Sequence, residues 1–477
     1  MAKFNLFKSA PEGNQSNSTV ASQDKEKGAV AAHHHQKRPA SSRRSSYESA
    51  TQGNGVVLAK NERYSHDHGR PASVNATFED GVVMESGFRG YLVVFGGFLT
   101  ILAAIGYVSI YGIFQAQYEI SFKARGYSAS AVSFVGSLAV GFQFGFSIIA
   151  GPVMNRFGHK VILWSGCVIG SLGLLIASWC SELWQLYLTQ GVMFGIGASL
   201  LNLAATAIPP LWYDKHRGLA MGICFAGAGI GGLVLGFVIP ALINSVGMYW
   251  TLRIYAIFHF VCTAFAALVM RAPRQLSGPP IAARKDTINL TILRDPGFML
   301  WFMAAALFGF AYVVPFTYVP SFAKDGGQLL SIMSAANAIG RVVIGMAGDR
   351  LGAIRVAACT FTLAGLSCFI WMFAESEGAL IGFSVMYGFF SGSFFTLVAS
   401  ITANIVGLAH LGSGLTIIFL TNTPGNLFTL PIAGQIFEKT QDYKAMIGYN
   451  AAIYLAAGAI LFFLMFYNRW TKRVDAV

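Results

Sequence analysis

Hydrophobic positions in this chain form long unbroken runs from residue 91 onward, separated by short polar connections. These runs exceed the roughly 20 residues that a helix needs to cross a bilayer. The pattern predicts an all-α polytopic membrane protein with twelve transmembrane helices. We place them at residues 91–113, 130–151, 161–179, 186–208, 218–243, 250–270, 298–320, 328–348, 356–374, 379–400, 414–437 and 447–467.

Polar stretches divide the chain into parts. Residues 1–86 are rich in Ser, His, Lys and Arg and show no hydrophobic period, which predicts a disordered tail. The longest polar connection between spans, residues 271–297, holds four prolines and separates the helices into six and six. We therefore expect an N-terminal bundle at residues 87–270, a C-terminal bundle at 298–468 and a short tail at 469–477.

Composition and charge agree with a membrane protein. Only 11% of the residues are charged, whereas soluble domains carry about 25%. The connections that follow even-numbered spans, with the C-terminal tail, hold 14 Lys and Arg residues, against five in the other connections. Because basic loops stay in the cytosol, we expect both termini and the central loop there, with the plasma membrane as the default location. The net charge of +12 reflects this bias and gives no sign of nucleic-acid binding.

The remaining chemistry argues against other classes of protein. The six cysteines are scattered through apolar runs without motif spacing, as small packing residues are. We expect no disulfide framework, no metal site and no cofactor. No nucleophile–base pair lies on a helix face, so an enzyme is not expected.

A short motif occurs twice, as GPVMNRFGHK at residues 151–160 and as GMAGDRLGAIR at residues 345–355, 194 residues apart. Each copy follows an even-numbered span, so the chain contains a repeated six-helix unit. Small Gly residues allow a neighbouring helix to approach, the Asn or Asp side chain can cap a helix, and Arg can bind a carboxylate. We predict a gate formed by Gly151, Asn155, Arg156, Gly158 and Lys160 with Gly345, Asp349, Arg350, Gly352 and Arg355.

This repeated motif closely resembles the loop motif of the major facilitator superfamily. The resemblance covers residues 88 to 470 and implies two six-helix bundles around a central cavity, which transport by alternating access. In the first copy, Asn155 stands where the family more often has Asp. A charge pair at that gate is therefore expected to be weakened.

Three stretches further resemble the monocarboxylate porter branch, especially its fungal members. They are ESGFRGY at residues 85–91, WYDKHRGLAMG at residues 212–222 and NAIGR at residues 337–341. The resemblance implies that Arg341 occupies the position of the substrate-binding Arg. It also implies that Asn337 and Ser109 stand where animal members have an acidic residue and a Lys for coupling. Neither can carry a proton, which puts carboxylate–proton symport in doubt.

Charged residues inside the spans are the sharpest functional signal. Of the 33 Lys and Arg residues only Arg253 and Arg341 lie within spans, and no Asp or Glu lies well inside one. A buried cation costs at least about 2.5 kcal/mol, so it usually has a task. We interpret Arg341 as an anion anchor that binds a carboxylate with two hydrogen bonds. The alternative is a structural Arg bonded to helix carbonyls.

Other polar residues at depth have two interpretations each. Arg253 is either an anchor at the membrane surface or a cavity residue, and His259 is either a packing residue or a candidate for proton coupling. For polar side chains elsewhere, helix packing is at least as good an explanation as cargo binding. The candidates in that group are Tyr107, Tyr312, Asn422 and Asn426, of which the last two flank Pro424-Gly425, where the helix could open.

We therefore expect a monomeric transporter of a small organic anion, such as a monocarboxylate, driven by or independent of an ion gradient. An efflux pump for an amphipathic fungal secondary metabolite is the alternative, favoured by the many aromatic residues. A non-transporting sensor with a transporter fold is a minor alternative. The expected partners are the small-molecule substrate and the lipid bilayer.

Overall fold

The computed structural model describes residues 87–123, 125–213, 215–273, 290–322 and 326–474, and the regular structure within these ranges is entirely helical. The α-helices are α1 (Phe88–Lys123), α2 (Ala129–Gly145), α3 (Ser147–Phe157), α4 (His159–Ala177), α5 (Leu183–Leu186), α6 (Phe194–Ala207), α7 (Arg217–Val246), α8 (Met248–Val269), α9 (Pro296–Ala311), α10 (Val313–Phe322), α11 (Gly326–Leu351), α12 (Ala353–Met372), α13 (Glu377–Ser391), α14 (Ser393–Val406), α15 (Leu411–Thr440) and α16 (Tyr443–Val474).

The helices follow the twelve predicted spans in order. Within the described ranges, ten are long and apolar enough to cross a membrane, and the bent pair α2–α3 makes an eleventh. The remaining predicted span corresponds to α15, which is 30 residues long but more polar. The predicted all-helical membrane fold is thus confirmed. The predicted tail at residues 1–86 and most of the predicted central loop at 271–297 lie outside the described residues.

The first helix extends past its predicted end at residue 113 to Lys123. Polar residues beyond residue 113 suggested a loop, but Gln115 Nε2 donates to Glu119 Oε1 at 2.9 Å one turn further along the helix. The opposite face of α1 stays apolar and buried as far as Phe122. Local polarity was therefore a poor guide to this helix end.

Several spans are interrupted where the sequence suggested continuity. The second span bends by 42° between α2 and α3, and a π-helix at Tyr187–Met193 precedes α6. In the second half, Tyr312 separates α9 from α10 and Gly392 separates α13 from α14. At Tyr312 and Gly392 the backbone angles stay in the right-handed helical region, so these interruptions change the local hydrogen bonding of a span without unfolding it.

The eleventh span, where Pro424 and Gly425 could open the helix, is continuous in this structure. The helix α15 runs unbroken through Pro424. Asn422 Nδ2 donates to the carbonyl of Ile418 and Asn426 Nδ2 donates to the carbonyl of Asn422, each at 2.9 Å. Both bonds run within α15 to carbonyls that precede Pro424. The helix stays continuous although the carbonyl of Leu420 loses its N–H donor to the proline.

The two halves meet along two seams, where α7 packs against α11 and α2–α3 against α15. The first seam brings backbones together, since a Cβ on Gly218 would lie 2.5 Å from the carbonyl oxygen of Gly345. Near the middle of α7, a Cβ on Gly229 would lie 2.8 Å from the Cβ of Ala338. Both seams lie toward the side that carries the turns after α3 and α11, which we call the motif face.

Candidate functional site

Arg341 lies in α11 at the seam between the halves, and only 2% of its surface is exposed. Its Nη1 donates to the carbonyl oxygen of Phe225 in α7 at 2.6 Å, and its Nη2 donates to the hydroxyl of Tyr312 at 3.1 Å. Among the described residues, its Nε has no hydrogen-bond partner. Both bonded oxygens are uncharged, so neither neutralises the buried guanidinium.

Aromatic rings from both halves surround this cation. The Arg341 Cζ lies 5.9 Å from the centre of the Phe225 ring and 5.3 Å from that of Phe395, within the range of cation–π attraction. The Phe395 ring also lies 5.3 Å from Tyr312 and 6.5 Å from Phe144 of α2. We call Phe144, Phe225, Tyr312 and Phe395 the aromatic cluster. It provides an apolar wall around a single positive charge.

Asn337 lies one turn before Arg341 and ties α11 to α13. Its Nδ2 donates to the carbonyl of Gly388 at 2.9 Å and to the hydroxyl of Ser391 at 3.3 Å. A Cβ on Gly392 would lie only 2.7 Å from Asn337 Nδ2 and 2.8 Å from Arg341 Nε. The structure thus brings Asn337 and Arg341 together, and the glycine between α13 and α14 leaves them room.

Three other candidate residues bond to helix backbones. The hydroxyl of Ser109, an exposed residue of α1, donates to the carbonyl of Ile105 at 3.3 Å. Asn422 and Asn426 bind carbonyls of α15, as described above, and Asn422 Oδ1 would lie 3.1 Å from a Cβ on Gly309 of α9. None of these contacts involves Arg341, so a cargo contact at these positions stays a prediction.

Tyr107 packs inside the first half, away from Arg341. It is 1% exposed, and its hydroxyl accepts a hydrogen bond from Gln190 Nε2. Its ring centre lies 5.0 Å from that of Tyr255 and 4.8 Å from that of Phe194. This environment favours the packing interpretation for Tyr107 in the conformation observed.

Arg253 lies between two exposed tryptophans. Its Cζ is 4.9 Å from the ring centre of Trp179 and 4.7 Å from that of Trp250, which are 62% and 58% exposed. Its Nε donates to the hydroxyl of Ser178 at 3.1 Å. Tryptophan and arginine together are typical of the membrane–water interface, so the geometry favours the anchor interpretation.

His259 is fully buried in α8, facing α4. Its Nδ1 lies 2.9 Å from the hydroxyl oxygen of Ser171, and its ring packs edge-on against Phe194 with centres 5.8 Å apart. A Cβ on Gly170 would lie 2.9 Å from its Cε1. The glycine makes room for the imidazole, which favours packing between α4 and α8 over proton coupling.

The second copy of the repeated motif binds the start of α7. Asp349 Oδ1 accepts the backbone N–H of Gly218 at 2.6 Å, and Oδ2 accepts that of Leu219 at 2.8 Å. These two N–H groups are among those that a helix start leaves without intrahelical partners. The carboxylate also faces the positive end of the helix dipole. Asp349 therefore caps a helix of the other half.

The first copy has the same placement without the charge. Asn155 Oδ1 would lie 3.3 Å from a Cβ on Gly412, in the first turn of α15. Gly412 follows Gly218 by 194 residues, as Asp349 follows Asn155. In this seam Ser147 donates to the carbonyl oxygen of Thr416 at 3.2 Å. The two copies of the motif are thus equivalent in position and unequal in charge.

Two glycines of the motif make the turns of the motif face. Gly158 has a φ of 85° and Gly352 a φ of 94°, values that residues with a Cβ rarely adopt. Gly151 lies against the side chain of Thr416, and Gly345 against the backbone of Gly218. The basic residues of the motif are all exposed at the motif face: Arg156, Lys160, Arg350 and Arg355.

Several residues around Arg341 were not predicted from the sequence. Phe225, Phe395 and Gly392 contact it, and Tyr387 of α13 contacts Tyr312. The 194-residue offset relates Arg341 to Ser147, which bonds across the other seam. It therefore indicates that Arg341 lies at a seam, but it does not identify the residues around it. Backbone carbonyls as partners leave no trace in a sequence.

Known proteins share this architecture. The sequence model described as Major Facilitator Superfamily matches residues 90–328 and 325–475. The MFS-type transporter pynF of Aspergillus niger is 30% identical over 420 residues, 83% of this chain and 94% of that protein. The agnestins efflux protein of Paecilomyces divaricatus is 29% identical over 357 residues, 73% of this chain and 81% of that protein.

Solved structures agree in fold. The fucose:proton symporter FucP of E. coli matches with a TM-score of 0.62 and 16% identity, covering 79% of this chain and 98% of that one. The human organic anion transporter MFSD10 matches with a TM-score of 0.61 and 15% identity, covering 78% and 98%. The family match, the paired motifs and the twelve-span fold lead to one conclusion: this chain belongs to the Major Facilitator Superfamily of membrane transporters.

Proposed function

We propose that this protein exports an amphipathic organic anion, with Arg341 as the group that binds its negative charge. One observation carries the proposal: a buried guanidinium lies between the two halves, bonded to uncharged oxygens and enclosed by the aromatic cluster. A cargo with an aromatic or apolar body and one carboxylate fits this combination.

The geometry of Arg341 favours a carboxylate over other polar groups. Nε has no partner among the described residues, and Nη2 is held by Tyr312 alone. A carboxylate that replaced the Tyr312 hydroxyl would accept from Nε and Nη2 together, the paired arrangement that makes Arg selective for planar anions. Removal of cargo from water would strengthen this pairing.

The direction and location of transport follow from two further points. Relatives across fungi carry names such as agnestins, aspyridones and fujikurins efflux protein, which favours export of a secondary metabolite. The exposed basic residues of the motif favour a cytosolic motif face, with both termini on that side. We propose a monomer in the plasma membrane that, in the conformation described, is closed toward the cytosol.

A second candidate function is transport of a small organic anion such as a monocarboxylate. Its support is the Arg341 environment itself together with the resemblance of residues 212–222 and 337–341 to the monocarboxylate porter branch. The two candidates differ in the size of the cargo, because the aromatic cluster adds binding energy only for a cargo with a large apolar body.

The test is export from yeast cells that lack their own broad-range exporters. Cells are loaded with fluorescein, an amphipathic anion, with rhodamine 123, a cation of similar shape, or with radiolabelled lactate. We expect faster loss of fluorescein only, abolished in Arg341→Ala and retained in the control Arg253→Gln, which removes a charge outside the site. Lactate transport without fluorescein export would establish the second candidate. Unchanged fluorescein export by Arg341→Ala would refute the role of Arg341.

A further inference from the structure

The junction between α9 and α10 has a missing backbone donor. Pro315 has no N–H, so the carbonyl of Ala311 loses its usual intrahelical partner. The hydroxyl of Tyr387, a fully buried residue of α13, lies 3.0 Å from the carbonyl oxygen of Tyr312 and 3.4 Å from that of Ala311. The one hydroxyl hydrogen of Tyr387 thus lies within reach of the carbonyl that the proline leaves without a donor, and closer still to the carbonyl of Tyr312.

In the internal repeat, the interruption coincides with the proline. The second-half span and α1 carry the same aromatic ladder 194 residues apart: Phe114, Tyr118 and Phe122 in the first half, and Phe308, Tyr312 and Phe316 in the second. The first-half ladder lies on one continuous helix, α1, where Ser121 occupies the position equivalent to Pro315. Only the second-half ladder is interrupted, at Tyr312.

The interrupted helix is connected to the cation. The hydroxyl of Tyr312 accepts from Arg341 Nη2 at 3.1 Å, while its carbonyl accepts from Tyr387. Tyr312 therefore lies at the junction of α9 and α10 and also provides a hydrogen-bond partner for the Arg341 guanidinium. Movement of the backbone at Tyr312 would move its ring, and so change what Arg341 is bonded to.

We propose that Tyr387 is a positioning residue of the transport site. Its hydroxyl holds the α9–α10 junction straight and thereby keeps Tyr312 on Arg341. When this bond breaks, α10 pivots at Tyr312 and leaves Nη2 available beside Nε for a carboxylate. The proposal rests on the proposed function in taking Arg341 as the cargo contact, but the pivot itself can be measured without cargo.

Accessibility of Val319 measures the pivot. This residue of α10 is fully buried, so a cysteine there reacts with a maleimide only when α10 moves outward. The background variant Cys359→Ser removes the exposed native cysteine, the other five being buried. In purified, reconstituted protein, Tyr387→Phe should speed the labelling of Val319→Cys about fivefold, the effect of losing one hydrogen bond.

A double-mutant cycle separates the hydrogen bond from ring packing. Pro315→Ala restores an N–H for the Ala311 carbonyl and leaves the bond to the Tyr312 carbonyl in place, so Tyr387→Phe should accelerate labelling less in this background than in the native one. The control Tyr454→Phe removes a hydroxyl 3.3 Å from that of Tyr387 without touching either carbonyl, and labelling should stay within twofold. Equal acceleration by Tyr387→Phe with and without Pro315→Ala would overturn the proposal, as would no acceleration at all.

Two further results decide the remaining cases. If Tyr387→Phe does not yield folded protein, Pro315→Ala alone is the test: slower labelling supports the proposal, and an unchanged rate overturns it. In the fluorescein assay, Tyr387→Phe should lower export, and Pro315→Ala should reduce the difference between Tyr and Phe at position 387. A cycle that holds for labelling while fluorescein is not exported would refute the proposed cargo class and leave the pivot standing.

Discussion

Replacement of Asp349 by Asn tests whether a charge closes the motif face. The carboxylate accepts two backbone N–H groups from the first turn of α7, at 2.6 and 2.8 Å. Asn keeps the size and one acceptor, but it loses the charge and turns an N–H donor toward one of the two backbone N–H groups. The variant thus removes the charge and one of the two hydrogen bonds while it keeps the size of the side chain.

The expected magnitude follows from the two bonds. Hydrogen bonds to a charged group contribute about 1.5–3 kcal/mol, against about 0.5–1.5 kcal/mol for neutral pairs. The charge at the helix start adds about 0.3–1 kcal/mol. Asp349 is partly buried, so water screens part of this energy. We expect Asp349→Asn to destabilise the closed motif face by about 1–2 kcal/mol, a shift of about 5–30-fold in the ratio of the two conformations.

Distances between spin labels on the two halves report this shift. Phe157 and Leu351 are exposed at the motif face, one in each half, so cysteines there can carry nitroxides without entering a seam. Asp349→Asn should increase the population with the longer distance. The reciprocal variant Asn155→Asp places a carboxylate at the start of α15 and should decrease it. An unchanged distribution in Asp349→Asn would show that the cap does not hold the halves together.

Three further substitutions test other contacts. Arg341→Lys should lower the initial rate of fluorescein export at least tenfold at equal amounts of folded protein, because an ammonium cannot reproduce the planar geometry of the guanidinium; a rate near wild type would contradict this. Gly222→Ala should keep the motif face open in the spin-label assay, since its Cβ would lie 3.1 Å from Val342 Cα across the seam. Gly352→Ala should cost about 1–2 kcal/mol because of its positive φ and lower the thermal unfolding temperature. Its control Gly382→Ala, with no atom within 4 Å of the added methyl, should not.

Hydropathy predicted the spans because each is long and unmistakably apolar, but it did not predict where they break. Pro315 accompanies an interruption at Tyr312, whereas α15 continues through Pro424. In both spans the carbonyl four residues before the proline, Ala311 or Leu420, loses its N–H donor, so the proline alone does not determine whether the helix breaks. The outcome depends on how neighbouring helices pack around the position, which a pattern of residue types does not encode.

The sequence predicts the charged residue of the site, because burying a charge is costly and therefore rare. It does not predict the partners of that residue where they are backbone groups. Arg341 stood out because a cation within a span is rare. Its partners include a carbonyl at Phe225, and any residue type offers a carbonyl. Arg253 is an equally rare charge by sequence, yet its contacts with two exposed tryptophans place it at the surface. Counting charged residues within spans identifies both arginines as candidate cargo contacts. Only their positions in the structure distinguish a buried site residue from a surface anchor.

The glycine-lined seam between α7 and α11 has a thermodynamic consequence. Where Gly218 meets Gly345 and Gly229 meets Ala338, contact is made largely by main chain. Closing such a seam immobilises almost no side-chain rotamers and removes little apolar side-chain area from solvent, so its heat-capacity change is small. The enthalpy of closing this seam should therefore stay nearly constant with temperature, and the logarithm of the ratio of the two conformations should fall on a nearly straight line against inverse temperature.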